Sequence, residues 1–183
     1  MKSLGRCFIL LILLGLTLVP IPALADKASE QKQRNADVAT PDALVRAAYE
    51  SISGPAGRNR NWDRMRNLWM GSARIILSSN NYEGDAIYEV MTLEGFIERV
   101  SDWYKQEGFY AREIASTTQR FGNIAQVWST FEIRRGSSTS PVVYRGINSW
   151  SMVINKGRWW ISQLNYDFES SRTPIPERYL KQP

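Results

Sequence analysis

The chain has no histidine and one cysteine among its 183 residues. Without histidine, Ser-His-Asp and Cys-His nucleophile arrangements cannot be assembled, and the usual zinc and copper sites lose a principal ligand. The lone cysteine, Cys7, precedes an apolar run from Phe8 to Val19. It is therefore misplaced for the lipidated residue of a bacterial lipoprotein, and no disulfide can form within the chain. A strong excess of one charge is missing too: 23 Lys and Arg against 18 Asp and Glu leave a net charge of +5, which does not imply a nucleic-acid partner. Catalysis, if any, falls to carboxylates, Tyr, Lys, Arg or bound water, and nothing calls for a metal or a cofactor.

What is present begins with an export pattern. Lys2 and Arg6 lead into the apolar run, which is followed by Pro20, Pro22 and Ala23-Leu24-Ala25, the three-part layout of a secretory signal peptide over residues 1–25. The run is short for a membrane span, which wants about 20 apolar residues. The expectation is an exported protein, periplasmic or secreted, with no membrane span after cleavage at Ala25. Residues 26–183 then remain, 158 residues that suit one domain. Loss of Lys2 and Arg6 lowers the net charge by two, to +3.

Residues 26–40, "DKASEQKQRNADVAT", are polar, lack aromatics and show no sustained period, so they read as a mobile leader or loose first turn. The domain is expected over 41–169, with a tail at 170–183. Thr40-Pro41-Asp42 is a helix start, with Thr as cap and Pro in the first turn; Leu44, Ala47, Ala48 and Ile52 form its apolar stripe. Asn61 caps a short second helix carrying Met65, Leu68 and Trp69, and "ARIILS" follows as a strand. After a looser stretch, "SNNYEGDAIYEVM", Thr92 caps a third helix ending at Gly108. From Phe109 onward the period becomes two, and Gly122-Asn123, "GSSTSP" and Asn155-Lys156-Gly157 punctuate a four-strand meander. These elements predict an α+β domain, about three helices packed on a curved antiparallel sheet made of that meander and one earlier strand.

Counting outward from the Lys156-Gly157 turn pairs Ile154 with Trp159, Met152 with Ile161, Trp150 with Gln163 and Asn148 with Asn165 on one side of the sheet. An apolar layer would thus give way to amides and then Asp167. If helices cover that side, the amides line a wet cavity or find partners, since an unpaired buried amide costs about 1–3 kcal/mol.

The segment "NWDRMRNLWMGSARI" after the first helix and "GRWWI" opening the last strand resemble the nuclear transport factor 2-like superfamily, in particular its SnoaL-like and ketosteroid-isomerase-like branch. The resemblance covers residues 41–169 and rests on short motifs. It implies a cone: a strongly bent sheet wrapped round the helices, with a cavity that binds a small molecule. In that picture Tyr49, Trp69, Trp103, Asn148, Trp150, Gln163, Asn165 and Asp167 line the pocket, though the aromatics would equally fill an ordinary core. A homodimer through the outer face of the sheet is also implied.

Enzymes of this family use a pocket carboxylate as base. Here Asn148, Gln163 and Asn165 stand where such groups are expected and cannot take a proton at neutral pH. Asp63 is the remaining candidate base, against the plainer reading of helix-dipole support. The reading is accordingly a non-catalytic domain binding a small polar or ring-bearing ligand. The alternatives are an isomerase, cyclase or dehydratase using a pocket carboxylate, and a structural component of an envelope or secretion assembly. Arg58, Arg60, Arg64 and Arg66 make either an anion-facing patch or a solvated face. Tyr82 and Tyr88 suit either a lid or a plain loop, and Tyr179 and Leu180 either dock a partner or pack back on the body.

Overall fold

The computed structural model describes residues 22–81 and 83–181. The expected signal segment through residue 21, with Cys7, and Tyr82 lie outside the described residues. The elements run α1 (Pro22–Asp37), α2 (Pro41–Ile52), α3 (Trp62–Arg66), β1 (Trp69–Asn80), β2 (Ala86–Met91), α4 (Leu93–Glu107), β3 (Phe109–Phe121), β4 (Ile124–Arg135), β5 (Val142–Asn155) and β6 (Arg158–Phe168), then a one-turn 3-10 helix (Glu177–Tyr179). Among the described residues, no helix is long and apolar enough to cross a membrane.

Three helix starts follow from their caps. Thr40 Oγ1 accepts from Ala43 N at 3.1 Å, Asn61 Oδ1 from Arg64 N at 3.0 Å, and Thr92 Oγ1 from Gly95 N at 3.1 Å. Each satisfies an amide that the first helical turn leaves without a partner. Helix α4 ends at Gly108, whose φ of +70° favours glycine; a Cβ there would also sit 2.8 Å from the Gly136 carbonyl oxygen.

The fold is α+β, with α2, α3 and α4 against a curved six-stranded sheet of order β2-β1-β6-β5-β4-β3. Its four-strand meander and β1 follow the sequence reading, but two features differ. Strand β2 lies in the stretch read as loose, pairing with β1 from Ile75–Met91 to Asn80–Ala86. The sheet is mixed rather than antiparallel, because β1 runs parallel to β6. No tight turn joins those two strands, so nothing forces them antiparallel.

The last hairpin departs from the simple count at one residue. Asn155–Arg158, Ile154–Trp159 and Met152–Ile161 pair as expected, then the register shifts and Ser151 faces Gln163, Trp150 faces Leu164 and Asn148 faces Tyr166. Ser162 is the extra residue of this bulge, and its hydroxyl donates to the Ser151 carbonyl at 2.9 Å. Since faces alternate with period two, one inserted residue carries Gln163, Asn165 and Asp167 to the outer side and brings Leu164, Tyr166 and Phe168 inward.

The leader is also ordered differently from expectation. Residues 22–37 form α1, exposed over most of its described side chains but fixed at its end, where Asp37 and Val38 are buried. Arg64 Nε donates to Asp37 Oδ2 at 2.7 Å, and the Val38 carbonyl accepts from Trp159 N at 2.9 Å. The core lies between the helices and the concave face, built on Leu44, Leu68, Ile75, Met152, Trp159 and Ile161, each 1% exposed or less. Gly146 lets the sheet bend tightly, since a Cβ there would fall 2.3 Å from the Asp167 carbonyl oxygen and 2.6 Å from the Phe131 ring.

Candidate functional site

Between the helices and the concave face lies a cavity of about 420 Å³, within the size range of small-molecule pockets. Helix α2 supplies Ala48, Tyr49 and Ile52, and α4 supplies Phe96, Arg99, Val100, Trp103 and Tyr104. The sheet adds Trp69, Ile75, Phe131, Arg135, Tyr144, Asn148, Trp150, Leu164, Tyr166 and Phe168. Of the expected pocket residues, Tyr49, Trp69, Trp103, Asn148 and Trp150 stand on this wall. Gln163, Asn165 and Asp167 do not, because the Ser162 bulge turns them to the other face of the sheet.

There the three satisfy one another or the backbone. Gln163 Nε2 donates to Asn165 Oδ1 at 2.9 Å, and Asp167 Oδ1 accepts from Phe168 N at 2.7 Å. Asn165 and Asp167 border a separate outer cleft closed by Thr173–Pro176. Asp63 is remote from the cavity: its side chain is 81% exposed and meets Arg66 at 3.1 Å.

A small polar floor sits at the deep end of the apolar cavity. Asn148 Nδ2 donates to Tyr49 Oη at 2.8 Å, and Tyr49 Oη lies 2.8 Å from Ser129 Oγ. Burial pushes the Tyr49 pKa well above the ordinary phenol value, and the Glu113 charge adds to that rise against the opposing bonds from Ser129 and Asn148 and the nearby Trp150 indole N–H. Tyr49 is thus a neutral hydroxyl at physiological pH. The Trp150 indole N–H approaches this hydroxyl without hydrogen-bond geometry, and the Trp69 indole N–H, on a side chain only 3% exposed, has no partner. Their rings lie 6.1 Å apart, tilted by 58°.

The rim has a different character. Arg99 and Arg135 are its charged groups among the described residues, with the half-exposed Tyr144 beside Arg135. Arg135 lies 4.7 Å from the Trp103 ring centre and 5.4 Å from that of Tyr144. Among the described residues, no Asp, Glu, His, Lys or Cys lines the cavity. Glu113 stands behind Tyr49 in a groove between α2 and β3, where one oxygen accepts from Ser116 and the other is buried without a partner.

Several lining residues were not visible to the sequence count. Leu164, Tyr166 and Phe168 depend on the bulge, while no motif or spacing in the sequence singles out Arg99 or Arg135. The basic segment resolves differently. Buried Arg60 donates to the carbonyls of Gly54, Pro55, Arg58 and Tyr104, Arg64 holds Asp37 and Glu50, and Arg66 holds Glu94 and Asp63. Three of the four guanidiniums are thus engaged within the domain rather than offered as a patch. Tyr88 lies on edge strand β2, 76% exposed, away from the cavity lining. Tyr179 packs back on the body, its ring stacked on Trp128 at 5.6 Å.

No protein-family model matches the chain, and neither does any curated protein. Solved structures share its fold. A nuclear transport factor 2-like protein with a cystatin-like fold from Novosphingobium aromaticivorans is 11% identical, with a TM-score of 0.52 over 90% of this chain and 99% of that one. A protein of unknown function with a cystatin-like fold from Nostoc punctiforme is 10% identical, with a TM-score of 0.51 over 80% of this chain and 93% of that one. The chain therefore has the cystatin-like cone fold of nuclear transport factor 2-like proteins.

Proposed function

We propose that the protein is an exported binding domain whose cone holds a small, largely apolar, ring-bearing molecule carrying a hydrogen-bond acceptor at its deep end. The single observation behind this reading is the aromatic-walled cavity of about 420 Å³ with the neutral Tyr49 and Asn148 pair at its depth. The Trp69 N–H is buried in the wall without a partner, and a ligand carbonyl, ether or ring nitrogen that the wall admits to it would recover the roughly 1–3 kcal/mol that such a donor costs. Aromatic walls supply stacking area, while Tyr49 and Asn148 offer neutral polar groups. Among the described residues the lining holds no carboxylate to abstract a proton, so binding fits the groups present better than isomerisation. Export rests on the basic, apolar and small-residue layout of residues 1–25.

Native mass spectrometry of protein purified gently from its own envelope extract tests the reading. A small molecule should be retained by the parent chain and lost or weakened about tenfold in Trp69→Phe, which keeps a ring but removes the donor. A parent protein that is folded and empty, and binds no apolar probe in the cavity, would sink it.

A further inference from the structure

Resting on that binding reading, we infer that the ligand is an amphipathic anion: an apolar ring body inside the cone, with a carboxylate, sulfonate or similar oxyanion held at the mouth by Arg135, assisted by Arg99. The two guanidiniums are the charged groups of the lining. Their side chains are 39% and 50% exposed, whereas Trp69 and Trp150 on the same wall are 3% exposed. Positive charge therefore sits where the cavity meets water and neutral donors sit at its depth. An amphipathic anion has the matching polarity along its length.

Arg135 is built for such a role. Its guanidinium is oriented by the Trp103 and Tyr144 rings, at 4.7 and 5.4 Å, which lowers the conformational cost of engaging a planar oxyanion. The existing partners do not use up the charge. Glu107 approaches Arg135 only to 3.6 Å and is itself 48% exposed, and Glu89, which pairs with Arg99, is 54% exposed. Neither carboxylate lines the cavity. Exposed pairs of this kind hold their partners weakly, and a guanidinium's five N–H donors can serve a second oxyanion alongside the first.

The test uses two fluorescent probes with the same ring skeleton, anilinonaphthalenesulfonate and its uncharged parent N-phenylnaphthylamine, titrated into the full chain with near-ultraviolet circular dichroism as the check on folding. The sulfonate should bind about tenfold more tightly than the parent, the gain of one charge-assisted contact. In Arg135→Gln the preference should fall to about twofold or less while the parent's affinity holds, and Arg99→Gln should reduce it partway. Lys156→Gln, on the exposed β5–β6 turn, should leave it unchanged, which separates a local contact from net charge. If the parent binds and the sulfonate binds no better, or the preference survives both arginine variants, the anion site is overturned and the binding reading stands. A preference abolished equally by Lys156→Gln overturns it as well. A folded protein that binds neither probe overturns both.

Discussion

At Asp37 burial pushes the carboxyl pKa up, yet hydrogen bonds from Arg64 and Gln33, with the Arg64 and Arg34 charges, outweigh it and hold the group below its ordinary value. A folded-state pKa depressed in this way adds stability above the unfolded value of about 3.9, and that stability is lost as pH falls through the lower folded value. Asp37→Asn should cost about 1–3 kcal/mol at neutral pH. Thermal melts at pH 7 and pH 3 should show the gap between parent and variant narrowing in acid; a gap of equal size at both would sink the assignment. Glu132 obeys the same sign, since the bonds from Arg134 and Arg112 overcome its burial, so the comparison must be made against the parent at each pH. Gly146 carries a steric constraint instead. Gly146→Ala should destabilise by about 1–3 kcal/mol, the range for forcing a group into a filled core, and denaturant midpoints would reveal a milder effect if the sheet can give way.

The last hairpin shows how a single residue redirects an element. With Ser162 in place, Leu164, Tyr166 and Phe168 face the cavity, and Gln163, Asn165 and Asp167 face away. Deleting Ser162 would remove the extra residue and leave Gln163 opposite Ser151 and Leu164 opposite Trp150 in an unbroken ladder, so the same side chains would face the cavity. The deletion should therefore keep the fold and cost about 1–2 kcal/mol for the lost local twist and hydrogen bond, little more than Ser162→Ala at about 1 kcal/mol. A deletion variant that unfolds in denaturant melts while Ser162→Ala stays near the parent would mean that the geometry of the bulge itself, and not the facing of the side chains, holds the strand. The same residue marks where reading the sequence stops. Thr40, Asn61, Thr92 and the turns at Gly122, Gly136 and Lys156-Gly157 announce themselves by local chemistry, so α2 to α4 and the meander were legible. A bulge at Ser162 has no glycine and no break in the apolar pattern to betray it. Strand β2 is exposed along nearly its whole length, so it shows no alternation of apolar and polar faces. Helix α1 lacks an apolar stripe because only its last turn meets the domain. The pocket aromatics were legible as large apolar groups, but their polar complements depended on register, which tertiary pairing decides.

At the scale of the molecule, the outer face of the sheet is partly closed by the chain's own end. After β6, Glu169 accepts from Ile175 N at 3.2 Å and from Arg145 at 2.8 Å. The strap then crosses to β4, where Thr130 Oγ1 donates to the Tyr179 carbonyl and Tyr179 stacks on Trp128 with the ring planes 11° apart. The resemblance drawn from the sequence implies a homodimer through this same outer face, and the strap occupies part of the surface such a dimer would use. Intramolecular packing has the entropic advantage, because the tail is tethered beside its site while a second copy must be brought from solution. A chain ending at Glu169 should therefore lose about 1–3 kcal/mol of stability from the unpacked Tyr179 ring and associate more strongly, seen as a sedimentation coefficient that rises with concentration where the full chain's does not. If instead the full chain dimerises and the shortened one is monomeric, the strap belongs to the interface, and the outer face is completed by the tail rather than guarded by it.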